Sequence, residues 1–291
     1  MKQYAIGIDI GGTHFRKVVI ERRGKFLKPP QKENVVHTDY HRIIKKITES
    51  VKEEDRKKIS CVGVSIAGPV DFKKQAVKET PHLPFPKNFS LKKAVEKKLK
   101  IPVFIDNDMN CAAEAELKFG ALKKYKNAVI LTISTGVGSA IIIDGRIYRG
   151  KDGMAGEVGH LSGYVSKNGR IEALASGESL EERMRKALKE KKRLDALKIY
   201  QRALKGDKLS KKLIKDTAYW MGIVLANVTN MLNPEVIIMD GGFFLGTLPL
   251  TLDTIKRVLK QKSTAPPKLL KSKMGDLGGA IGAAILALKN S

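Results

Sequence analysis

The chain has little of what marks several classes of protein. Its two cysteines, Cys61 and Cys111, cannot build a disulfide framework, and no CxxC pair offers a metal site. Both stand among small or apolar neighbours and read as buried packing residues. No run reaches the roughly 18 apolar residues that a membrane-spanning helix needs. The apolar stretch at 278–288 is too short, and Asp9 interrupts the first apolar run before it can act as a signal peptide. A cytoplasmic protein is therefore expected. There is no Walker A pattern and no GxGxxG after a strand, and HExxH fails because its first histidine is missing before Glu157. These absences argue against P-loop, dinucleotide-binding and zinc-protease readings. Acidic residues are also scarce: 30 Asp and Glu face 55 Lys and Arg, a formal net charge of +25. The basic residues come as scattered pairs such as Lys45-Lys46, Lys92-Lys93 and Lys211-Lys212, without interleaved aromatics. The densest run, 189–193, is expected on a surface helix. The surplus thus reads as solvated faces rather than a nucleic-acid footprint, with attraction of small anionic ligands as a side effect.

What is present suits a globular enzyme. The 291 residues, 42% hydrophobic, suggest about two domains. Residues 4–10 and 15–21 read as strands around a glycine turn, and 59–66 and 101–105 as further buried strands. Ile43, Ile44, Ile47 and Val51 have the spacing of an amphipathic helix, as do Leu91, Val95 and Leu99. Beyond Asp106 come a helix at 111–122, strands at 128–133 and 139–143 with a turn at Asp144-Gly145, and glycine-rich loops at 150–177. Helices around Leu180–Leu188, Leu194–Leu204 and Leu213–Leu232 follow, then a final strand at 236–239 and a helix of small and apolar residues at 280–288. Strands alternating with helices predict an α/β chain with mixed sheets. A glycine turn after a strand occurs twice, at Asp9-Ile10-Gly11-Gly12-Thr13 and at Ser134-Thr135-Gly136-Val137-Gly138, which predicts two related lobes around a cleft.

Those turns carry chemistry. Phosphoryl transfer needs main-chain donors around phosphate oxygens, cations to offset charge and a base for the attacking hydroxyl. Glycine lets N–H groups approach a phosphate without an obstructing Cβ. Gly11, Gly12 and Thr13 supply such donors, Asp9 can hold a hydrated Mg²⁺, and Thr135 and Gly136 supply a second set. Asp106-Asn107-Asp108-Met109-Asn110 lies between a buried strand and a helix, where α/β folds place reactive side chains. Capping a helix takes one such residue, so this many polar side chains point to function. Gly156-Glu157-Val158-Gly159-His160 is a further polar candidate.

In this order the motifs resemble those of the ROK family of sugar kinases, within the actin/hexokinase/Hsp70 superfamily. The resemblance also takes in Gly63-Val64-Ser65-Ile66-Ala67-Gly68-Pro69, Leu83-Pro84, Glu172 with Ser176-Gly177, Gly241-Gly242 and Gly279-Ala280-Ile281-Gly282. It implies a two-lobed actin-like, ribonuclease H-like fold with a cleft. One lobe would hold residues 1–106 with a C-terminal helix at 277–291, and the larger lobe residues 107–276. It implies ATP-dependent phosphorylation of a hexose, first of all glucose at O6, with N-acetylmannosamine, mannose or fructose as alternatives. Asp108 would be the general base. Gly68, Asn107, Asp108, Glu157, His160 and Glu172 would bind sugar, while Asp9, Gly11, Gly12, Thr13, Thr135 and Gly136 would serve phosphate and Mg²⁺. Gly241 and Gly242 would line the adenosine pocket. Many members hold a structural zinc through the histidine of the Gly-His motif and three downstream cysteines; here Gly163, Val165 and Arg170 stand at the cysteine positions, so no zinc is expected. Smaller departures are Ser134, Ala67 and His82. Members are often dimers or tetramers, which makes a homo-oligomer an expectation. A sugar-responsive regulator is the main alternative, opposed by the short stretch before Asp9, which leaves no room for a helix-turn-helix. A sugar-binding protein without catalysis is another, opposed by Asp108.

Overall fold

The computed structural model describes residues 3–35, 39–78, 80, 83–162 and 169–291. The chain divides into two compact units, Met1–Lys124 with Gly145–Ala155 and Lys273–Ser291, and Tyr125–Asp144 with Gly156–Ser272. In the first, β1 (Tyr4–Ile10) and β2 (His14–Glu21) form an antiparallel hairpin that β3 (Gln31–Asn34) extends. Next come α1 (Tyr40–Lys52), β4 (Ile59–Ile66), a short ribbon of β5 (Val70–Asp71) and β6 (Ala76–Val77), α2 (Leu91–Leu99), β7 (Val103–Asn107) and α3 (Asp108–Lys118). The sheet order is β3-β2-β1-β4-β7, with β4 parallel to both β1 and β7. The central strands β1 and β4 are buried along nearly their whole length, as parallel strands covered on both faces must be. Ile43, Ile47 and Val51 of α1 and Leu91, Val95 and Leu99 of α2 pack with Ile6, Ile8, Val62 and Val64. Each such side chain contributes roughly 1.5–3 kcal/mol of burial.

The second sheet and its helices repeat the plan. β8 (Ala128–Ile133) and β9 (Val137–Ile143) are antiparallel, and β10 (Arg146–Tyr148) follows a tight turn in which Asp144 and Gly145 both have positive φ. A short α4 (Glu172–Ala175), α5 (Gly177–Leu188), α6 (Ala196–Leu204) and α7 (Lys208–Leu232) lead to β11 (Val236–Asp240), α8 (Gly242–Lys262) and β12 (Lys268–Lys271). The sheet order is β10-β9-β8-β11-β12, with β11 parallel to β8 and β12. The two sheets therefore share one strand order, and the two glycine turns occupy the same place in it, between the first and second strands of each. The sequence echo is a topological repeat.

The chain returns to the first unit as α9 (Gly278–Asn290), which packs against β1, β4 and α3. Its small residues are required by close approach: a Cβ on Gly63 would stand 1.8 Å from the Ala283 carbonyl oxygen, and one on Gly282 1.6 Å from that of Cys111. Because α3 packs on α9, its residues group with the first unit. Two expectations are corrected. The run 189–193 is not helical: α5 ends at Leu188, Lys189 takes a left-handed cap at φ 55°, and the run forms the connection to α6. The strand at 236–239 is not the last, since β12 adds to its edge. The 21-residue α8 had no expectation at all, because Gly246 and Pro249 break its pattern.

Candidate functional site

In the first unit the polar candidates gather at the carboxyl ends of parallel strands. Pairing places Arg16, Asp9, Ser65 and Asp106 opposite one another across β2, β1, β4 and β7. Ser65 Oγ donates to Asp9 Oδ1 at 2.6 Å and Arg16 Nη1 to Asp9 Oδ2 at 3.0 Å. Arg16 Nη2 also reaches Asp276, 3.1 Å away, just before α9. Burial pushes the Asp9 carboxyl up, and the Ser65 hydroxyl and the Arg16 guanidinium oppose that rise. Above Asp9 the hairpin turns: the Gly11 N–H donates to the His14 carbonyl at 3.0 Å, and Gly12 and Thr13 are exposed. Thr13 Oγ1 lies 2.8 Å from His14 Nδ1.

One row further along, Asn107 ends β7 and caps α3. Its Oδ1 accepts from the Met109 and Asn110 N–H groups at 2.9 and 3.3 Å, and its Nδ2 donates to the Gly68 carbonyl at 3.0 Å. Capping, weighed against function from sequence, is thus part of what Asn107 does. Gly68 has φ +127°, and a Cβ there would stand 2.7 Å from Thr80 Oγ1, so the position demands glycine. Asp108 opens the first turn of α3, half-buried, with Oδ1 accepting from its neighbour Met109 at 2.9 Å. Gly68, Asn107 and Asp108 form one cluster.

The second unit carries the other candidates. The turn 134–137 is braced from two sides. Ser134 and Thr135 carbonyls accept from Gly177 and Glu178 N–H groups at the start of α5, at 2.8 and 3.4 Å. Glu172 Oε2 accepts from the Val137 N–H at 2.8 Å and sits where a Cβ on Gly136 would come within 2.5 Å. Glu157 and His160 flank a single turn of 3-10 helix, Val158–His160. Burial pushes the Glu157 carboxyl up; His160 opposes the shift and Glu172 adds to it, so the three sense one another. The His160 ring is exposed. Gly241, at φ +93°, wraps against β8, where a Cβ would meet the Ile133 carbonyl at 2.6 Å, whereas Gly242 has open space. The next residue, Phe243, joins Ser134, Thr135, Gly177, Glu178 and Arg193 around a cavity of about 270 Å³. Of the zinc-loop positions, Gly163 and Val165 lie outside the described residues, as does His82, while Arg170 pairs in an isolated bridge with Ser162. Among the described residues no three His, Cys, Asp or Glu side chains form a metal cluster, and no helix is long and apolar enough to cross a membrane.

Sequence reading missed Arg16, Ser65, Glu178 and Arg193. The hairpin held the signal for the first: a turn closing Ile10 on Phe15 puts Arg16 opposite Asp9. Glu178 and Arg193 offered none, since their ion pair at 2.5 Å joins α5 to an irregular connection.

The chain is similar to several known proteins. The chain is 27% identical over 259 residues to a glucokinase of Thermotoga maritima, covering 81% of each chain. A ROK family glucokinase from Streptomyces griseus, solved with glucose and AMPPNP, superposes with a TM-score of 0.82 at 28% identity, covering 98% of this chain and 99% of that one. A xylose repressor of Caldicellulosiruptor bescii is 28% identical over 283 residues, covering 89% of this chain and 70% of the repressor. The α/β architecture is that of the two-lobed actin-like class to which such kinases belong. With the ROK family profile matching residues 5–290, the chain belongs to the ROK family.

Proposed function

We propose that the protein transfers the γ-phosphoryl group of ATP to the 6-hydroxyl of a hexose, glucose before others. The observation that carries this reading is the Gly68–Asn107–Asp108 cluster, in which Asn107 ties the Gly68 carbonyl to the start of α3, with the Asp108 carboxylate at the carboxyl end of β7. In this reading Asp108 accepts the proton of the attacking hydroxyl. Asn107, Glu157, His160, Glu172 and the Gly68 backbone bind the remaining hydroxyls, since carboxylates and amides suit adjacent donors and acceptors. The main chain at Gly11, Gly12, Thr135 and Gly136, with the Thr13 hydroxyl, holds phosphate oxygens, and phosphoryl transfer depends mostly on such positioning and charge stabilisation. The cavity lined by Phe243, the residue that follows Gly241 and Gly242, takes the nucleoside. Relatives with glucokinase activity support glucose, and the AMPPNP complex of one of them supports ATP.

The residues fit Mg²⁺. Asp9 accepts from Ser65 and Arg16, and a carboxylate offers about four lone-pair sites, so it can still accept from a hydrated ion. Magnesium is held by one or two carboxylates plus water and substrate phosphates rather than an all-protein cage. When bound, the ion offsets phosphate charge.

The test is ADP release with Mg-ATP across a hexose panel, on wild type and Asp108→Ala. One hexose should stimulate turnover, and the variant should lose about 10²–10⁴-fold. Silence of the wild type on every hexose rejects the reading. Kinship to xylose repressors supports a second one, a sugar-responsive regulator; salt-sensitive DNA binding, changed by sugar, would establish it.

A further inference from the structure

Asp106 precedes Asn107 and Asp108 and is 1% exposed. A carboxylate so buried must be paired and hydrogen-bonded. Arg149, on the segment after β10, provides the pairing: Nε donates to Asp106 Oδ2 at 2.8 Å, and Nη2 stands 2.7 Å from the same oxygen. Asp106 Oδ1 accepts from the Asn107 N–H at 2.8 Å and from Asn110 Nδ2 at 3.0 Å. Arg149 is itself held, since its guanidinium carbon lies 4.0 Å from the centre of the Phe72 ring and Nη1 donates to the Ile147 carbonyl. Its segment is pressed onto the same unit. A Cβ on Gly153 would stand 2.0 Å from the Val70 carbonyl oxygen, and Asp152 pairs with Lys78 at 2.9 Å.

The contacts run in one direction. Arg149 fixes one oxygen of Asp106, whose other oxygen fixes the Asn107 backbone and the Asn110 side chain. Asn107 in turn holds Met109, Asn110 and Gly68. Asp108 is therefore bracketed by anchored residues on both sides, and the anchors converge on the Asp106–Arg149 pair. We propose that Arg149 is a positioning residue for phosphoryl transfer, acting through Asp106 to fix where the Asp108 carboxylate stands; this rests on the reading of Asp108 as the base. A lysine would not replace it, because a point-charge ammonium can neither reach one oxygen with two donors nor stack flat on Phe72.

The test compares wild type, Arg149→Lys, Arg149→Met and the double variant Asp106→Asn/Arg149→Met, which leaves no unpaired buried charge and so retains its fold. Each is measured for kcat per folded molecule, hexose KM and thermal midpoint, and crystal structures are solved for wild type and the double variant. The proposal expects kcat to fall about 10²-fold in all three variants with hexose KM changed far less, as for a base displaced by about 1 Å. Ethylguanidinium should restore part of the activity of Arg149→Met. An Asp108 carboxylate unmoved in the double variant, or kcat within roughly twofold of wild type once corrected for the folded fraction, overturns it. If wild type is inactive on every hexose, the kinase reading fails by itself, and the crystal comparison still decides whether Arg149 positions Asp108.

Discussion

Gly241 and Gly242 are neighbours under different constraints. At Gly241 the chain leaves β11 with φ +93°, and a Cβ would stand 2.6 Å from the Ile133 carbonyl oxygen and 2.7 Å from Thr132 Oγ1. Backbone cannot yield as a flexible side chain does, so Gly241→Ala should lose about 2 kcal/mol of stability. Gly242 begins α8 with nothing within 4 Å of its would-be Cβ. Gly242→Ala should leave stability within about 0.5 kcal/mol, yet raise KM for ATP if nucleotide lies over that helix start. Denaturant titration and ATP kinetics on both variants separate the two constraints. Equal stability losses would show that steric demand does not distinguish them. The sequence marks both glycines alike; only the approach of β8 tells them apart.

At the scale of elements, the joint between β2 and α1 rests on a buried lysine. Lys17 is 3% exposed, and its Nζ donates to the Ser50 carbonyl at 3.0 Å and to Glu53 and Glu54 at 3.1 and 3.0 Å. A cation there also meets the negative end of the α1 dipole. Lys17→Met strips Glu54, buried too, of its inner partner and leaves only Lys28, so stability should fall by about 3 kcal/mol. Lys17→Met/Glu54→Leu should recover most of the loss, because replacing both members of a buried pair by apolar groups is close to neutral. A cost below about 1 kcal/mol for the single variant would mean that Lys28 suffices. Elements with a strong hydrophobic period were legible in the sequence: β1, β4, β8 and α1 fall where the pattern predicts them. The start of α3 was not, because the polar run at 106–110 was assigned to function over capping, and the cap that begins the helix three residues before 111 is Asn107, one of that run. Helix α8 was hidden by Pro249, and β12 by its Lys-Leu-Leu-Lys pattern, which has no alternation and gains its meaning only from pairing with β11. In the site, Asp9 and Asp108 could be read from motifs and Arg16 from the hairpin register once the turn is placed, whereas Arg149 could not, since its partner Asp106 lies 43 residues away.

At the scale of the whole molecule, the surplus of 55 basic over 30 acidic residues sets the response to pH. Among the described residues, six carboxyls are held below their ordinary range. In Glu54 burial opposes the shift but Lys28 and Lys17 outweigh it, whereas in Asp152, Glu182, Asp207, Glu235 and Asp276 hydrogen bonds are the leading cause. Glu182 is the furthest shifted, lowered to about 2 by hydrogen bonding to Arg185 and by Lys186. Asp9, Asp106 and Glu157 are shifted the other way by burial. For a lowered group the unfolded chain binds more protons than the folded one between the two pKa values. Its contribution is therefore present above the unfolded value and lost as pH falls through the folded one. The raised groups do the reverse, losing their contribution as pH rises. The lowered set is the larger, and each acid protonated adds to an already positive charge that repels itself. The thermal midpoint should thus fall as pH drops below about 4.5, and added salt should restore part of it by screening the like charges. Glu182 is half-buried in a network with solvent-exposed partners, so its own share is small, but the difference in midpoint between wild type and Glu182→Gln should be present at neutral pH and close as pH falls from about 4.5 towards about 2. Thermal melts across this range at low and high ionic strength check both statements. A midpoint that stays level below pH 4.5, or that salt lowers there, would mean that charge repulsion does not govern the acid response and that the three buried carboxyls outweigh the surface network.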